Sequence, residues 1–489
     1  MSSCVPEFAP WRFMLTVDEV NYDLDEQADF LSRHPGTPIV NLASGVNFTD
    51  PPWDFVDFVL SAARNPMLWH DYDGPDGHLL ARAAVATYEA ARSGGRTRPG
   101  PENVIVTAGA SAAVGLAART LAAAGQARGR RPHAVLPAPT FPLVGAALRD
   151  SGFELTEVTS ALPRRWLPTV DELTAGAGQD TTVLYVNTFN NPTGEFYPDD
   201  ELRRLVAWAR DHDVVILHDI VSSDLARDGD LPHLPSIAAE ERYAEGVLTV
   251  GSLSKSRALP GFRVAWLIGD TATIRAAARV NELIAPSSPG LASPALVLDR
   301  LAMIDAERLE DGGFSARDTL LALLTPHART FPGLVDFAAR IVDEVRSTGV
   351  TASVGAWRTA LRDVLATNEA VLRRDFGDLV GWFPRWRGDF NTLVRVPALD
   401  GRDYLETTHT LFRRFGLQTL PGPAFGHDPG WWRRRGYYTR LSFALPEPQW
   451  VRGLERLAAA CDELTGGASG RHDRVPAGLS EPAGTSGEV

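Results

Sequence analysis

Val247-Leu248-Thr249-Val250-Gly251-Ser252-Leu253-Ser254-Lys255-Ser256-Arg257 reads as a short apolar strand, a Gly-Ser turn and a lysine. That lysine is the only one in the chain: of 489 residues, 48 are Lys or Arg, and every other one is Arg. Arginine serves for surface charge and ion pairs, but it keeps its proton near neutral pH and cannot act as an amine nucleophile. A surface lysine retained by chance would fit a polar helix. Lys255 follows a buried-type strand instead, and this points to a covalent, catalytic amine.

Outward from this stretch, short β-branched runs alternate with helical segments. The runs are Val104–Val106, Ala134–Leu136, Val183–Val186, Val214–Leu217, Val247–Val250 and Val264–Ile268, and helices are expected over 111–124, 140–149 and 200–211. Buried strands alternating with amphipathic helices imply an α/β fold with a mostly parallel sheet flanked by helices. Ligands of such sheets gather at the carboxyl ends of the strands. Gly109-Ala110-Ser111, Pro139-Thr140-Phe141, Asn190–Gly194, Asp219–Ser222 and Ser252–Lys255 all fall there.

Residues 1–40, with Pro6, Pro10, Pro35 and Pro38, read as an irregular arm. An N-terminal arm over 1–48 is expected to reach the smaller domain and the substrate site, with a large domain over 49–300. Helical patterns then run through 294–310 and 317–372. Strand signals return at Thr392–Val396, Leu417–Leu420 and Thr439–Phe443, and a helix over 448–464 closes a smaller α+β domain, 301–465. Residues 466–489, rich in Gly, Ser and Pro, read as a disordered tail.

A hydrophobic content of 44% with 22% charged residues is ordinary for a soluble enzyme. The net charge of −13 argues against nucleic-acid binding. Cys4 and Cys461 lack metal-ligand spacing, so no metal is expected. There is no membrane-length apolar run and no leader pattern, and the expected location is the cytoplasm.

Several strand-end residues take chemical roles around Lys255. Asp219 supplies a carboxylate suited to a pyridinium nitrogen. Gly109-Ala110-Ser111 opens a helix whose free N–H groups favour a phosphate, and Arg263 can reach the same group. Phe141 can stack on a flat ring. Each is weak alone, since an Asp at a strand end is often a helix cap and a Phe is more often core. Their shared position and order are what carry weight.

Asn190-Asn191-Pro192-Thr193-Gly194, Asp219, Ser252-Leu253-Ser254-Lys255, Gly261-Phe262-Arg263, Pro421–Gly426 and Arg440-Leu441-Ser442-Phe443-Ala444 together resemble the class I/II aminotransferases, fold-type I pyridoxal-phosphate enzymes. The resemblance spans roughly residues 40–465. It implies pyridoxal 5'-phosphate as cofactor and Lys255 as the residue that forms the internal aldimine and later moves the substrate α-proton. Asp219 would pair with the ring nitrogen, Asn191 with the ring hydroxyl, and Phe141 would stack on the ring. Gly109, Ala110, Ser111, Ser252, Ser254 and Arg263 would hold the phosphate. Arg440 would grip the α-carboxylate, with Gly45 and Asn191 beside the substrate. Tyr72 matches a tyrosine that reaches the partner subunit's phosphate, implying a homodimer.

There are two departures. Ser222 stands where the family usually has a tyrosine that bonds the ring oxygen. The interval between Lys255 and Arg440 is also some tens of residues longer than the resemblance implies, the excess lying near 303–352. That insertion either covers the site, extends a dimer interface, or decorates the surface. The expected activity is the transformation of a free α-amino acid through an external aldimine and a Cα carbanion, most simply transamination. The alternative is elimination, replacement, cyclisation or oxidation, with or without a second substrate, resembling aminocyclopropane-carboxylate synthase or capreomycidine synthase. A non-enzymatic cofactor-binding regulator is disfavoured by the acidic charge and the lack of a helix-turn-helix extension.

Overall fold

The computed structural model describes residues 8–69, 72–162, 164–226, 231–285 and 288–466. Its centre is a seven-stranded sheet in the order Val104–Thr107, Ala265–Ile268, Val247–Ser252, Val215–Asp219, Thr181–Asn187, His133–Pro137, Glu154–Val158. Ala265–Ile268 alone runs antiparallel to its neighbours. The other six strands are parallel, so their carboxyl ends share one edge, and the reversed strand brings its own start, with Arg263 just before it, to that same edge. The sheet is mostly parallel, as the alternating runs imply. Glu154–Val158 is the strand that the apolar runs do not announce. It is an edge strand, paired on one side only, and its residues are half-buried or exposed.

Both faces of the sheet are covered. Helices Ala110–Ala127, Pro142–Asp150 and Thr271–Asn281 pack on one face around Ile105, Leu136, Tyr185 and Val250. Helices Asp199–Asp211 and Leu234–Glu240 pack on the other around Val135, Leu184, Val186 and Ile216. Alternate residues of one strand therefore serve opposite cores, which is why these strands are apolar throughout.

Residues 10–33, read as part of an irregular arm, are mostly helical. Pro10–Asn21 and Leu24–Arg33 are helices. Pro10 starts the first helix, where a missing N–H costs nothing. Asp23 caps the second by accepting from the Glu26 N–H at 2.8 Å. Pro10, Pro35 and Pro38 bracket these helices rather than interrupt them. Val40–Asn41 then pairs in parallel with Leu417–Gln418.

A second core surrounds the small antiparallel sheet of Leu420–Pro421, Tyr438–Ser442 and Asn391–Arg395. Phe13 and Val17 of the first helix belong to it. The chain does not change cores at residue 300. Leu320, Leu324, Phe337, Ile341 and Val345, from helices Ala316–Leu324 and Leu334–Thr348, share a core with Leu80, Val85 and Tyr88 of helix Leu79–Arg92. The extra length near 303–352 is thus packed on that helix. The crossing comes inside the single helix Val350–Asp375, whose Val350 and Val354 lie in this core while Leu361, Leu365 and Leu372 lie in the other. At about 1.5 Å per residue this helix is roughly 39 Å long. The expected tail falls beyond Gly466, outside the described residues.

Candidate active site

Lys255 lies in a one-turn helix, Leu253–Ser256, directly after strand Val247–Ser252. The Ser252 hydroxyl oxygen accepts from the Ser254 N–H at 3.1 Å, fixing the turn that aims the lysine. Burial pushes the Lys255 amine down to about 8; the positive Arg440 and Arg263 push the same way, while Asp389 opposes them.

Asp219 ends strand Val215–Asp219, two strands inward from the Arg263 strand. Its Oδ1 accepts from the Val221 N–H at 2.9 Å and its Oδ2 from the Tyr185 hydroxyl at 3.2 Å. Burial holds its pKa above the usual carboxylate range against both donors. It makes no ion pair among the described residues. A half-buried carboxylate with two donors and no cation is suited to a cationic ring nitrogen.

In the turn Asn190–Gly194 the two asparagines divide the work. Asn190 builds the turn: its Oδ1 accepts from the Thr193 hydroxyl at 2.8 Å, and its Nδ2 donates to the Pro139 carbonyl at 3.2 Å. Gly194 has φ +75°, and a Cβ there would stand 3.0 Å from the Asn391 carbonyl oxygen. Asn191 is thereby left to present Oδ1 to Arg440 Nη1 at 2.9 Å. Arg440 Nε donates to the Ala43 carbonyl at 2.9 Å, and Nη2 bonds the same oxygen. A Cβ on Gly45 would lie 3.4 Å from Nη1, so glycine keeps the guanidinium approachable. Burial lowers Arg440 to about 10 despite the opposing Tyr22, Asp389 and Asp18.

At the far end of the same sheet edge, Gly109 caps helix Ala110–Ala127 with φ +98° and no side chain to occupy the helix's first N–H groups. A Cβ there would fall 2.1 Å from Arg263 Nη2, which donates to the Ala108 carbonyl at 2.9 Å. This cradle of backbone N–H groups beside a guanidinium fits a phosphate. Ala110, Phe141 and Val221 pack against one buried cluster, which links the cradle to the Asp219 loop. Ser111 is exposed on the first turn. The fold therefore gathers Lys255, Asp219, Asn191, Arg440, Gly45, Gly109, Ala110, Ser111, Phe141, Ser252, Ser254 and Arg263 at one edge. Tyr72 stays on the surface of the single chain, 82% exposed.

Three features went unread in the sequence. Tyr185 lies in the apolar run Val183–Val186, and only the pairing of its strand with Val215–Asp219 shows that its hydroxyl meets the aspartate. Asp389 precedes strand Asn391–Arg395 with no surrounding motif. Ser222 donates its hydroxyl hydrogen bond to this buried acid. The third is a buried ion network two residues past Lys255. Arg257 Nε lies 2.6 Å from Asp299, and Arg300 bonds both Asp299 and, at 2.8 Å, Asp224.

Residues 37–311 match the aminotransferase class I and II family. The chain belongs to this family. A probable aminotransferase of Arabidopsis thaliana is 29% identical over 247 residues, 50% of this chain and 52% of its own length, so the chain spans about half of that relative. An LL-diaminopimelate aminotransferase of Desulforudis audaxviator is 23% identical over 434 residues, 88% of this chain and 92% of its own. The solved structure of a putative kynurenine aminotransferase from Saccharomyces cerevisiae superposes with a TM-score of 0.66 at 17% identity, covering 90% of this chain and 94% of that one. At that identity the likeness is one of fold, which is fold-type I. The family depends on pyridoxal phosphate and acts on amino acids. Among the described residues no helix is long and apolar enough to cross a membrane, and no group of three metal-ligating side chains occurs.

Proposed function

We propose that this chain is a pyridoxal 5'-phosphate-dependent enzyme acting on a free α-amino acid, with transamination as its reaction. The observation that carries this is the position of the chain's only lysine, half-buried at one sheet edge among Asp219, Asn191, Arg263 and Arg440. When bound, the cofactor supplies an electron sink for negative charge at the substrate Cα. Lys255 Nζ is the base that takes the α-proton and returns it; with its pKa lowered from the ordinary lysine range to about 8, roughly a tenth of the amine is neutral at pH 7. Asp219 holds a proton on the ring nitrogen, and Tyr185 and the Val221 N–H keep its carboxylate aimed. Arg263 and the N–H groups after Gly109 hold the phosphate. Arg440, oriented by Ala43 and Asn191, binds the α-carboxylate.

Borohydride treatment of the cofactor-loaded protein should leave the cofactor attached to the peptide containing Lys255. Recovery of that peptide unmodified from fully loaded protein would remove the basis of this reading. Arg440→Lys should weaken amino-acid binding at least about tenfold, because a lysine cannot reproduce a two-pronged contact. Cofactor affinity should stay close to that of the parent. A matched fall in both affinities would mean that Arg440 only braces the structure.

A homodimer in a cytoplasmic setting accompanies this proposal, with Tyr72 reaching the partner's phosphate. Support comes from the exposure of Tyr72, Trp69, Leu283 and Ile284 on the single chain. The second reading, elimination, replacement, cyclisation or oxidation on the same scaffold, is favoured by one observation. Ser222 turns its short hydroxyl to Asp389, where the family resemblance implies a tyrosine facing the ring oxygen.

A further inference from the structure

Asp389 is a buried acid that the proposed site leaves without a counter-charge. It is 2% exposed, its Oδ2 accepts from the Asn391 N–H at 3.3 Å, and it also accepts from the Ser222 hydroxyl. On its other side a Cβ placed on Gly194 would lie 3.6 Å from its own Cβ, so it packs against the turn that presents Asn191. Lys255 and Arg440 both feel its charge. Yet it forms no ion pair among the described residues, whereas the buried Asp224 and Asp299 are paired with arginines. Burial raises its pKa to about 6, against the pull of the Phe390 and Asn391 N–H groups, Ser222 and the more distant Arg440.

Under the proposed function every other charge at this edge has a claimant. Arg263 answers the phosphate, Asp219 the ring nitrogen, and Arg440 the α-carboxylate, while Lys255 must give up its charge to act as the base. The two cations that offset Asp389 in the free protein are therefore both committed once substrate is in place. One negative charge remains in excess in a buried site, and an unpaired buried charge is costly. Ser222 adds space to this argument, because its short side chain holds the carboxylate without filling the volume a tyrosine would take.

We infer that the substrate supplies the missing cation: Asp389, held by Ser222, receives the guanidinium or ammonium group of a basic α-amino acid. This rests on the pyridoxal-phosphate reading and names the substrate class for it. A protonated Asp389 acting only as a neutral donor would confer no preference for charge, so charge preference is the quantity to measure.

The test titrates the cofactor-loaded enzyme with two near-isosteric pairs, arginine against citrulline and lysine against norleucine, following the cofactor's absorbance as amino acid binds. In at least one pair the charged member should bind about thirtyfold or more tightly, the effect expected of a desolvated charge pair. In Asp389→Asn that ratio should collapse toward one. Equal affinities within both pairs in the parent enzyme, failure of all four to bind, or a ratio unchanged in Asp389→Asn would overturn the assignment. The parent ratio decides the matter even if the variant does not fold. Cofactor loading and trapping at Lys255 are read separately. A protein that loads and traps but shows no charge preference loses this inference alone, whereas one that never loads loses the proposed function as well.

Discussion

Lys255→Arg should fold, hold its positive charge, and fail to turn over. Arginine keeps the bulk and charge of the buried site, so thermal stability should change little. It cannot give up its proton near neutral pH, so neither the bond to the cofactor nor the transfer of the α-proton is available. Loss of proton transfer alone costs about 10²–10⁴ in rate, and loss of the covalent role adds to it. Single-turnover kinetics on cofactor-soaked variant, beside a melting curve, make the measurement. A variant that keeps more than about a tenth of the parent rate would move the catalytic base elsewhere. In the parent enzyme, amine reactivity should rise through pH about 8 as Lys255 becomes neutral.

Asp299→Ala should be the most damaging substitution for stability. Asp299 sits fully buried between Arg257 and Arg300, and Arg300 also reaches Asp224 and stacks over Tyr88 and Trp266 at 4.6 and 4.7 Å. Burial alone would raise Asp224, but Arg300 and Arg257 outweigh it and hold that carboxyl below the usual range. Removing Asp299 strands the buried Arg257 guanidinium and leaves Arg300 with Asp224 alone, a loss of about 3–5 kcal/mol. Urea unfolding gives the difference directly, and a change under about 1 kcal/mol would show that the network relaxes around the gap. The effect should also reach the site. Arg257 is in the turn that follows Lys255, and Asp224 is in the turn that follows Ser222, so a surviving Asp299→Ala protein should bind cofactor less tightly.

The parts legible in the sequence were those whose chemistry is local. A strand, a turn and a polar residue at its end are contiguous, so Lys255, Asp219, Asn191 and the Gly109 cradle could be found by reading along the chain. Arg440 came with the family resemblance. Asp389 and Tyr185 belong to the site through pairing alone: one is brought in from the loop before the small sheet, the other meets Asp219 from the neighbouring strand. The N-terminal helices were hidden because four prolines suggested breaks, while in the fold Pro10 starts one helix and Pro35 and Pro38 follow the other. Asp18 and Tyr22, from the first helix and its cap, come near enough to Arg440 to affect it, although nothing in their sequence neighbourhood announces this.

The solitary lysine has a practical consequence as well. Reagents that couple to amines ordinarily scatter over a protein surface and report nothing in particular. Here, apart from the chain's terminal amine, they have one target, and it lies half-buried at the sheet edge where the cofactor is expected. Labelling of Lys255 therefore becomes a direct gauge of whether that edge is open or occupied, readable by intact mass alone and usable in a mixture where turnover cannot be followed. Trypsin, with arginines as its remaining targets, leaves Lys255 in a short and predictable peptide in which that occupancy can be counted.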